Sequence, residues 1–260
     1  MNEYYPFGVS FSGGGLSSVA YSGFIDVLKE NGLSPSLYAG LSGGALVSVL
    51  LASNMKGAEI IEFIDKFKTL KIINTNLHNI EIFDHNKLTD LIRSLLPYKN
   101  FEDLPIKTLI FSSDLVKKSP LVLDSGDLAS AIVSSCSAFP ILSPVKRLGF
   151  ILGDGGFTTY FGAQMIREAG VKKVVGIDVV GILEGSVRGL FGSLYKGINS
   201  SLYSIARYEL QESPVDVNIQ IVFPSPNIFS FDKKATHIIN LGRQSAEKNI
   251  YKIKKALRRN

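Results

Sequence analysis

Residues 37–44 read LYAGLSGG, an apolar run that passes directly into the pattern Gly-x-Ser-x-Gly. The apolar part predicts a buried strand, Leu37 to Leu41, and the residues beyond the glycines predict a helix, Ala45 to Ser53. A serine on a tight turn between a strand and a helix exposes its hydroxyl beside the helix N-terminus. We therefore predict that Ser42 is a nucleophile. The glycines that shape its turn are Gly40, Gly43 and Gly44.

A second glycine-rich turn precedes the elbow, as the tight turn that carries Ser42 between its strand and helix is called. Phe7 to Phe11 predicts a first strand, Ser17 to Asn31 predicts a helix, and Gly13-Gly14-Gly15 lies between them. Three consecutive glycines let backbone N–H groups converge on one point beside a helix N-terminus, which suits either a phosphate group or an oxyanion. The loop lacks the third glycine of GxGxxG and has no following Gly-Lys-Ser/Thr. It is therefore neither a dinucleotide fingerprint nor a P-loop.

A third turn, Gly153-Asp154-Gly155-Gly156, follows the short predicted strand Phe150 to Leu152. An acid in such a place can act as a general base, and an ordinary Asx turn is the alternative interpretation. A serine hydroxyl needs a base before it becomes a useful nucleophile. Asp154 can supply that base by contacting Ser42 directly.

Histidine offers a different base. The order Ser42, Asp154, His237 matches the chain order of an α/β-hydrolase triad. However, His237 lies in a predicted helix rather than in a loop after a strand. His78 and His85 lie in a polar segment and are interpreted as surface residues. The residues alone leave the dyad and the triad open.

The rest of the chain alternates short β-rich runs with amphipathic helical runs, which predicts a single α/β domain with a mostly parallel sheet sandwiched by helices. Further strands are predicted at Lys107 to Ser113, Leu121 to Leu123, Val171 to Val179 and Asp216 to Val222. Further helices are predicted at Ala58 to Phe67, Lys87 to Leu96, Asp127 to Ser135, Gly185 to Gln211 and Ala235 to Arg258. Residues 1–260 are expected to form this one domain, with a motif-bearing core at about 7–182 completed by residues 183–260.

The composition narrows the class of protein further. The chain has 260 residues, of which 45% are apolar and 20% are charged, and this excludes a disordered chain. The single cysteine, Cys136, excludes an internal disulfide and any Cys-rich zinc site. The net charge of +5 comes largely from the last residues of the chain. We interpret them as a solvated helix end, and contact of this basic tail with anionic lipid or nucleic acid is the alternative.

Taken together, the three glycine-rich turns resemble the pattern of the patatin-like phospholipase family. That pattern places a glycine-rich oxyanion loop near the N-terminus, a Gly-x-Ser-x-Gly elbow 25–30 residues later and a distant Asp-Gly-Gly/Ala. Two connecting segments, FEDLPIKTLIFSSDL (101–115) and AIVSSCSAFPILSPV (131–145), also look like the family. The resemblance spans about Val9 to Val180.

The resemblance implies a serine acyl hydrolase for lipid esters that uses a Ser–Asp dyad. Ser42 would be the nucleophile, Asp154 would be the base, and no metal or other cofactor is implied. The oxyanion hole would be formed by the N–H groups of Gly13, Gly14 and Gly15, with Gly43 as a further donor. The turn after the base would be shaped by Gly155 and Gly156. Alternatives are the triad esterase with His237 and a lipid-binding protein with weak activity.

The chain departs from the family pattern at two places. The family usually has Arg or Lys followed by Gly shortly after its glycines, where this chain has Ser17 and Ser18. A cation that helps to position an anionic head group is therefore missing. The family also commonly has Asn-x-Pro after the Asp-Gly-Gly turn, where this chain has residues 158–162, TTYFG. We expect this loop to shape the pocket differently.

The expected partner is a lipid or membrane surface rather than a nucleic acid. Neither a signal peptide nor an apolar stretch of about 20 residues is visible, so we expect a cytoplasmic protein with a peripheral position at a membrane. Val187 to Tyr208 has an apolar stripe that suits a membrane surface, although such stripes usually pack on a sheet. The loop Pro224 to Phe231 is a second apolar candidate.

Overall fold

The computed structural model describes residues 3–69, 84–139, 142–179, 189–223 and 235–259. The strands are β1 (Phe7–Phe11), β2 (Leu37–Gly40), β3 (Lys107–Asp114), β4 (Ser119–Leu123), β5 (Val145–Arg147), β6 (Phe150–Asp154), β7 (Lys173–Asp178) and β8 (Val217–Gln220). The α-helices are α1 (Ala20–Glu30), α2 (Gly43–Ala52), α3 (Gly57–Thr69), α4 (His85–Leu95), α5 (Leu128–Ser135), α6 (Ala163–Glu168), α7 (Gly189–Glu212) and α8 (Ala235–Leu257). Short 3-10 helices occupy Gly15–Val19, Phe101–Asp103 and Gly155–Phe157.

The described strands form one mixed sheet in the order β5-β6-β3-β2-β1-β7-β8, and β4 pairs with β3 outside this path. Five strands, from β3 through β2, β1 and β7 to β8, are parallel to one another. β4 and β6 run antiparallel to β3, and β5 runs antiparallel to β6. The predicted α/β fold is confirmed, and its antiparallel side is a feature that the sequence analysis did not predict.

Helices cover both faces of the sheet. One core contains α1, α2, α5 and α8, whereas the other contains α6 and the described side of α7. Neighbouring residues of one strand serve opposite cores: Tyr38 of β2 belongs to the first and Leu37 to the second. Because successive side chains of a strand point to opposite faces, apolar runs such as β1 and β2 are buried on both sides.

Most predicted segments agree with the structure within a few residues. The helix predicted from Ser17 begins as the 3-10 helix at Gly15 and continues as α1. Asp127 caps α5 as expected, because its carboxylate accepts the Ser130 N–H at 2.7 Å. β5 and α6 were not predicted.

Both candidate lipid-binding segments lie partly or wholly outside the described residues. The loop 224–231 is outside, and so is the start of the segment 187–208. The described face of α7 that carries Leu202, Ile205 and Ala206 packs into the second core, as an ordinary sheet-covering stripe does. Within the described ranges, every helix is too short or too polar to cross a bilayer.

Candidate active site

The register of the sheet brings the second and third glycine-rich turns together. Gly40, the last residue of β2, pairs with Ile110 of β3. Two residues further along β3, Ser112 pairs with Asp154, the last residue of β6. Ser42 stands two residues beyond Gly40, so the elbow and the end of β6 meet at the same point of the sheet.

Ser42 has a strained backbone. Its φ of 53° and ψ of −128° fall in a region that residues with a side chain rarely adopt. The next residue, Gly43, opens α2 and lies against the first glycine loop, since a Cβ there would stand 2.4 Å from the Gly15 carbonyl oxygen. A side chain at position 43 would therefore push the elbow and the loop apart.

A side chain from α5 holds the elbow from below. The Ser42 N–H donates to the Ser135 hydroxyl at 2.8 Å, and that hydroxyl donates to the Phe111 carbonyl oxygen at 2.6 Å. Ser135 is fully buried. The strained turn is thus connected to β3 through one hydroxyl group.

The first glycine loop borders the same point. A Cβ on Gly13 would stand 3.5 Å from the Ser42 Cβ, which places the loop beside the serine side chain. Gly14 has a φ of 138°, and a Cβ on it would clash with Val179 at 2.4 Å. Only glycine fits that position. The first N–H groups of the helices that begin at Gly15 and Gly43 lack intrahelical acceptors and lie beside each other here.

A buried carboxylate fixes the start of this loop. The Ser12 hydroxyl donates to Asp178 at 2.8 Å and lies 2.9 Å from the Tyr21 hydroxyl. The Ser12 N–H donates to the Ile177 carbonyl oxygen at 3.1 Å. Burial raises the pKa of Tyr21, and the charge of Asp178 raises it further. The residue before Gly13 is therefore tied to the end of β7 by both its backbone and its side chain.

Asp154 has an unusual electrostatic environment. The residue is only 8% exposed. Burial raises the pKa of its carboxyl from 3.8 to about 6, although hydrogen bonds from the Gly156 N–H and the Ser42 hydroxyl lower it. The Gly156 N–H donates to Asp154 Oδ1 at 2.8 Å. The carboxyl is therefore orientated by one donor while the Ser42 hydroxyl faces it.

Cys136 is a neighbour of this pair that the sequence analysis did not place. Burial and the charge of Asp154 raise the pKa of its thiol, which the Ser42 hydroxyl counteracts. The raised pKa favours the protonated thiol. Since the thiolate is the nucleophilic form of cysteine, this environment disfavours Cys136 as a nucleophile.

The loop after Gly156 is anchored by α7. The Glu209 carboxylate accepts the N–H groups of Tyr160, Phe161 and Gly162 at 2.9, 2.9 and 3.1 Å. This is the segment that departs from the family's Asn-x-Pro. An acidic side chain from a distant helix organises it.

The serines that replace the family's Arg/Lys-Gly are buried. Ser17 is 8% exposed, and the Ser18 hydroxyl has no hydrogen-bond partner among the described residues. The Ser18 Oγ lies 2.6 Å from where a Cβ of Gly43 would stand, so it packs directly behind the elbow. Neither position offers a charge to a ligand.

The structure does not bring His237 to the site. Its side chain is exposed on α8, which packs on α1 and β8. None of the hydrogen bonds among the described residues joins His237 to Ser42 or Asp154. His85 begins α4, and His78 lies outside the described residues. In the described ranges, no cluster of His, Cys, Asp and Glu could hold a metal ion.

Three anchoring residues were missed by sequence reasoning. Asp178 carried a signal, because it is an acid at the end of an apolar predicted strand. Ser135 sits in a run of serines that gives no hint of which one faces the elbow. Glu209 is one of several charged residues on a long helix, and nothing local distinguishes it.

Comparison with known proteins agrees with this arrangement. The sequence model of the family described as "Patatin-like phospholipase" matches residues 9–164, more than half of the chain. The match includes all three glycine-rich turns.

Individual relatives are distant. A patatin-like phospholipase domain-containing protein of Caenorhabditis elegans is 25% identical over 185 residues, covering 68% of this chain and 14% of that protein. A lysophospholipase of Candida albicans is 23% identical over 178 residues, covering 66% of this chain and 13% of that protein. This chain therefore spans only a small part of the length of these two relatives.

A solved structure shares the fold. The human GIVD cytosolic phospholipase A2, determined in complex with methyl γ-linolenyl fluorophosphonate and terbium chloride, superposes with a TM-score of 0.52 at 12% identity. The similarity covers 98% of this chain and 59% of that one. At this level of identity the likeness concerns the fold alone.

Proposed function

Since the chain belongs to the patatin-like phospholipase family, we propose that it hydrolyses fatty-acyl esters of lipids with Ser42 as nucleophile and Asp154 as general base. The observation that carries the proposal is the Ser42 hydroxyl facing a buried carboxyl whose pKa lies near 6. A base with a pKa close to neutral can both remove a proton and return it. No histidine is needed for this chemistry.

Acylation begins when Asp154 takes the proton of the Ser42 hydroxyl. The oxygen attacks the ester carbonyl carbon, and a tetrahedral intermediate forms with its negative charge on the former carbonyl oxygen. The bond to the leaving alcohol then breaks, and Asp154 gives its proton to that alcohol. The acyl group remains on Ser42 as an ester.

The glycine loop and the elbow supply the donors for the oxyanion. The N–H groups of Gly13, Gly14, Gly15 and Gly43 are the candidates, because the loop packs against the elbow at Gly43. One such donor lowers the barrier by about 3–4 kcal/mol. The anchoring of Ser12 by Asp178 keeps these donors in place before the substrate arrives.

Deacylation reverses the roles. A water molecule gives a proton to Asp154 and attacks the acyl carbonyl, and the same donors stabilise the second tetrahedral intermediate. The fatty acid is released when the proton returns to the Ser42 oxygen. The cycle balances with one ester and one water consumed, and with one acid and one alcohol formed.

The substrate class follows from the family rather than from a charged subsite. The relative from Candida albicans is named a lysophospholipase, which supports a phospholipid or lysophospholipid ester. Ser17 and Ser18 add no cation beside the glycine loop. We therefore expect head-group charge to matter less than the acyl ester, so that neutral monoacylglycerol and lysophospholipid are turned over at similar rates.

Labelling with a fluorophosphonate probe tests the dyad. The probe reacts with an activated serine, so the wild-type chain and the His237→Ala variant are expected to label. The Ser42→Ala and Asp154→Asn variants are expected to remain unlabelled while keeping a cooperative thermal transition. Loss of labelling in His237→Ala alone would replace the dyad with the triad. A folded wild-type chain that fails to label with lipid vesicles present would favour a lipid-binding role instead.

A further inference from the structure

We propose that the chain docks on an anionic membrane through the turns of its antiparallel side. The docking surface, here named the basic–apolar tip, consists of Val116, Lys117, Lys118, Lys146 and Leu148. These residues lie in the β3–β4 turn, at the β5–β6 hairpin turn and beside it in β5. The proposal builds on the proposed function, because docking there brings a lipid surface to the strand that ends at Asp154.

The two turns are neighbours in space. The Leu115 N–H donates to the Ile151 carbonyl oxygen at 2.9 Å, which extends the β3–β6 pairing to the foot of the β3–β4 turn. The Lys117 ammonium lies 5.6 Å from the centre of the Phe150 ring. In β5, Lys146 pairs with Ile151. The tip is thus one continuous surface on three strands.

The apolar members of the tip have no structural reason to be apolar. Val116 is 68% exposed and Leu148 is 73% exposed. Leu148 and Gly149 form a two-residue hairpin turn with φ values of 50° and 83°. Asn, Asp or Gly is preferred at the first position of such a turn, because a branched apolar side chain is strained there. A leucine that is mostly exposed and strained in this way gains little from burial in the fold, which points to an external contact.

The charges of the tip identify the occupant. The three lysines are exposed, and no acidic residue occurs in 115–119 or 144–151. Asp114, which precedes the first of these segments, is buried, and it accepts the Val116 and Lys117 N–H groups at 3.0 and 3.1 Å. Apolar side chains at the ends of turns, surrounded by lysines, suit insertion among anionic head groups. A protein partner of ordinary composition would not explain why exposed apolar side chains and lysines occur together in these turns.

The surface leads to the active site. β6 runs from the tip at Phe150 to Asp154, which is about 13 Å at 3.3 Å per residue. Between them, the side chains of Leu115 and Phe157 both approach Gly153, where a Cβ would stand 2.9 and 3.1 Å from them. Phe157 is 38% exposed. A partly exposed apolar strip therefore runs from the docked lipid surface as far as Gly153, the residue before Asp154.

Vesicle sedimentation of the 260-residue chain carrying Ser42→Ala tests the proposal without hydrolysis. We expect it to bind phosphatidylcholine vesicles that contain 30% phosphatidylglycerol, and to bind pure phosphatidylcholine much more weakly. In this background, Lys117→Gln/Lys118→Gln/Lys146→Gln is expected to lower the partition coefficient about 100-fold, since one lysine near an anionic surface contributes about fivefold. Leu148→Asn is expected to lower it tenfold or more.

Matched controls distinguish an effect of the basic–apolar tip on binding from an effect of net charge or of protein stability. Tyr251 is 79% exposed on α8, which packs on β8 at the opposite edge of the sheet from β5. Tyr251→Ser, and the triple change Lys248→Gln/Lys252→Gln/Lys255→Gln, are expected to change binding less than threefold. Because asparagine suits the left-handed turn, Leu148→Asn is expected to keep or raise the Tm.

The outcomes distinguish the docking surface from the catalytic proposal. Equal losses in the tip and α8 variants, or no binding of the Ser42→Ala chain to anionic vesicles, would overturn the docking surface. Hydrolysis of soluble p-nitrophenyl butyrate by the active chain is expected to be unchanged in Leu148→Asn. Absence of that hydrolysis in the wild type would contradict the proposed function, while the vesicle result would still decide the surface.

Discussion

The hydroxyl of Ser135 accepts the backbone N–H of Ser42, so the turn that carries the candidate nucleophile depends on a side chain of another helix. The same hydroxyl donates to Phe111 in β3. The strained elbow is therefore stabilised from outside its own strand–turn–helix unit. Removing the Ser135 hydroxyl therefore tests how much the candidate site depends on this contact with α5.

Ser135→Ala is expected to lower both stability and reactivity. The change leaves a buried N–H and a buried carbonyl oxygen without their partner, which costs about 1–3 kcal/mol of unfolding free energy. We also expect slower fluorophosphonate labelling, because the Ser42 turn loses its anchor. Denaturant unfolding and labelling kinetics measure the two effects. Ser134→Ala is the control, since among the described residues that hydroxyl bonds only to the Ser130 carbonyl oxygen of its own helix.

Hydrolysis of a soluble ester is expected to depend on pH through Asp154. The base must be ionised, and burial sets the pKa of the carboxyl at about 6. The rate should rise about tenfold per pH unit below pH 6 and level off above pH 7. A pH–rate profile of kcat/KM measures this. His237→Ala must keep the same acidic limb, and a rate that is flat from pH 5 to pH 8 would rule out Asp154 as the base.

Asp154→Asn is expected to inactivate the protein and to stabilise it at neutral pH. The folded pKa of Asp154 is raised above 3.8 to about 6, so the folded state loses stability as pH rises from 4 to 6 and the carboxyl ionises. The loss is on the order of 2–3 kcal/mol. The variant avoids it, so its Tm should exceed that of the wild type at pH 8 and approach it at pH 4.5. A lower Tm than the wild type at pH 8 would argue against the raised pKa.

Asp178→Asn is expected to lower kcat about tenfold with little change in KM for a soluble ester. The Ser12 hydroxyl loses a charged acceptor, and the donors of the glycine loop become less well positioned. Steady-state kinetics separate the two parameters. Tyr21→Phe keeps the Ser12–Asp178 bond and its ring stacking on Phe11, so its effect should be smaller. A raised KM at constant kcat would assign Asp178 to substrate binding instead.

Glu209→Gln is expected to lower the unfolding free energy by about 2–4 kcal/mol. A carboxylate accepts three backbone N–H groups in this structure, and an amide presents only one acceptor oxygen to them. Chemical denaturation measures the change. Glu212→Gln, an exposed change on the same helix, should have almost no effect. Equal values for the two variants would show that the loop does not need the carboxylate.

Turn and cap residues in the sequence correctly predicted where several strands and helices begin and end. The glycine-rich turns predicted where β1 and β2 end, and Asp127, as the N-cap, predicted where α5 begins. β5 could not be predicted because it is three residues long, contains Lys146 and Arg147, and exists through its pairing with β6. The antiparallel side also depends on the pairing of β6 with β3, where Ser112 meets Asp154. A pairing between segments so far apart in the chain has no signature in a single segment.

In the candidate site, too, local patterns predicted some residues, whereas others depend on contacts between distant parts of the chain. The positions of Ser42, Asp154 and the glycine loop followed from strand–turn patterns, and the structure places all three side by side. The anchors Ser135 and Glu209 depend on which distant backbone group a hydroxyl or carboxylate meets in the folded chain. The basic–apolar tip could not be predicted because its residues come from two separate turns, and neither turn by itself forms a continuous apolar segment.

Two strand pairings described above also matter while the chain is being synthesised. In these pairings Gly40 lies opposite Ile110, and Ser112 lies opposite Asp154. The proposed nucleophile and the proposed base belong to segments synthesised at widely separated times, and contacts of such long sequence separation are slow to form in folding. A nascent or truncated chain that ends before β6 contains the serine elbow but no base. We therefore expect acyl-transfer chemistry to begin only after the antiparallel side has folded, so that unfinished copies of the chain are inactive towards esters.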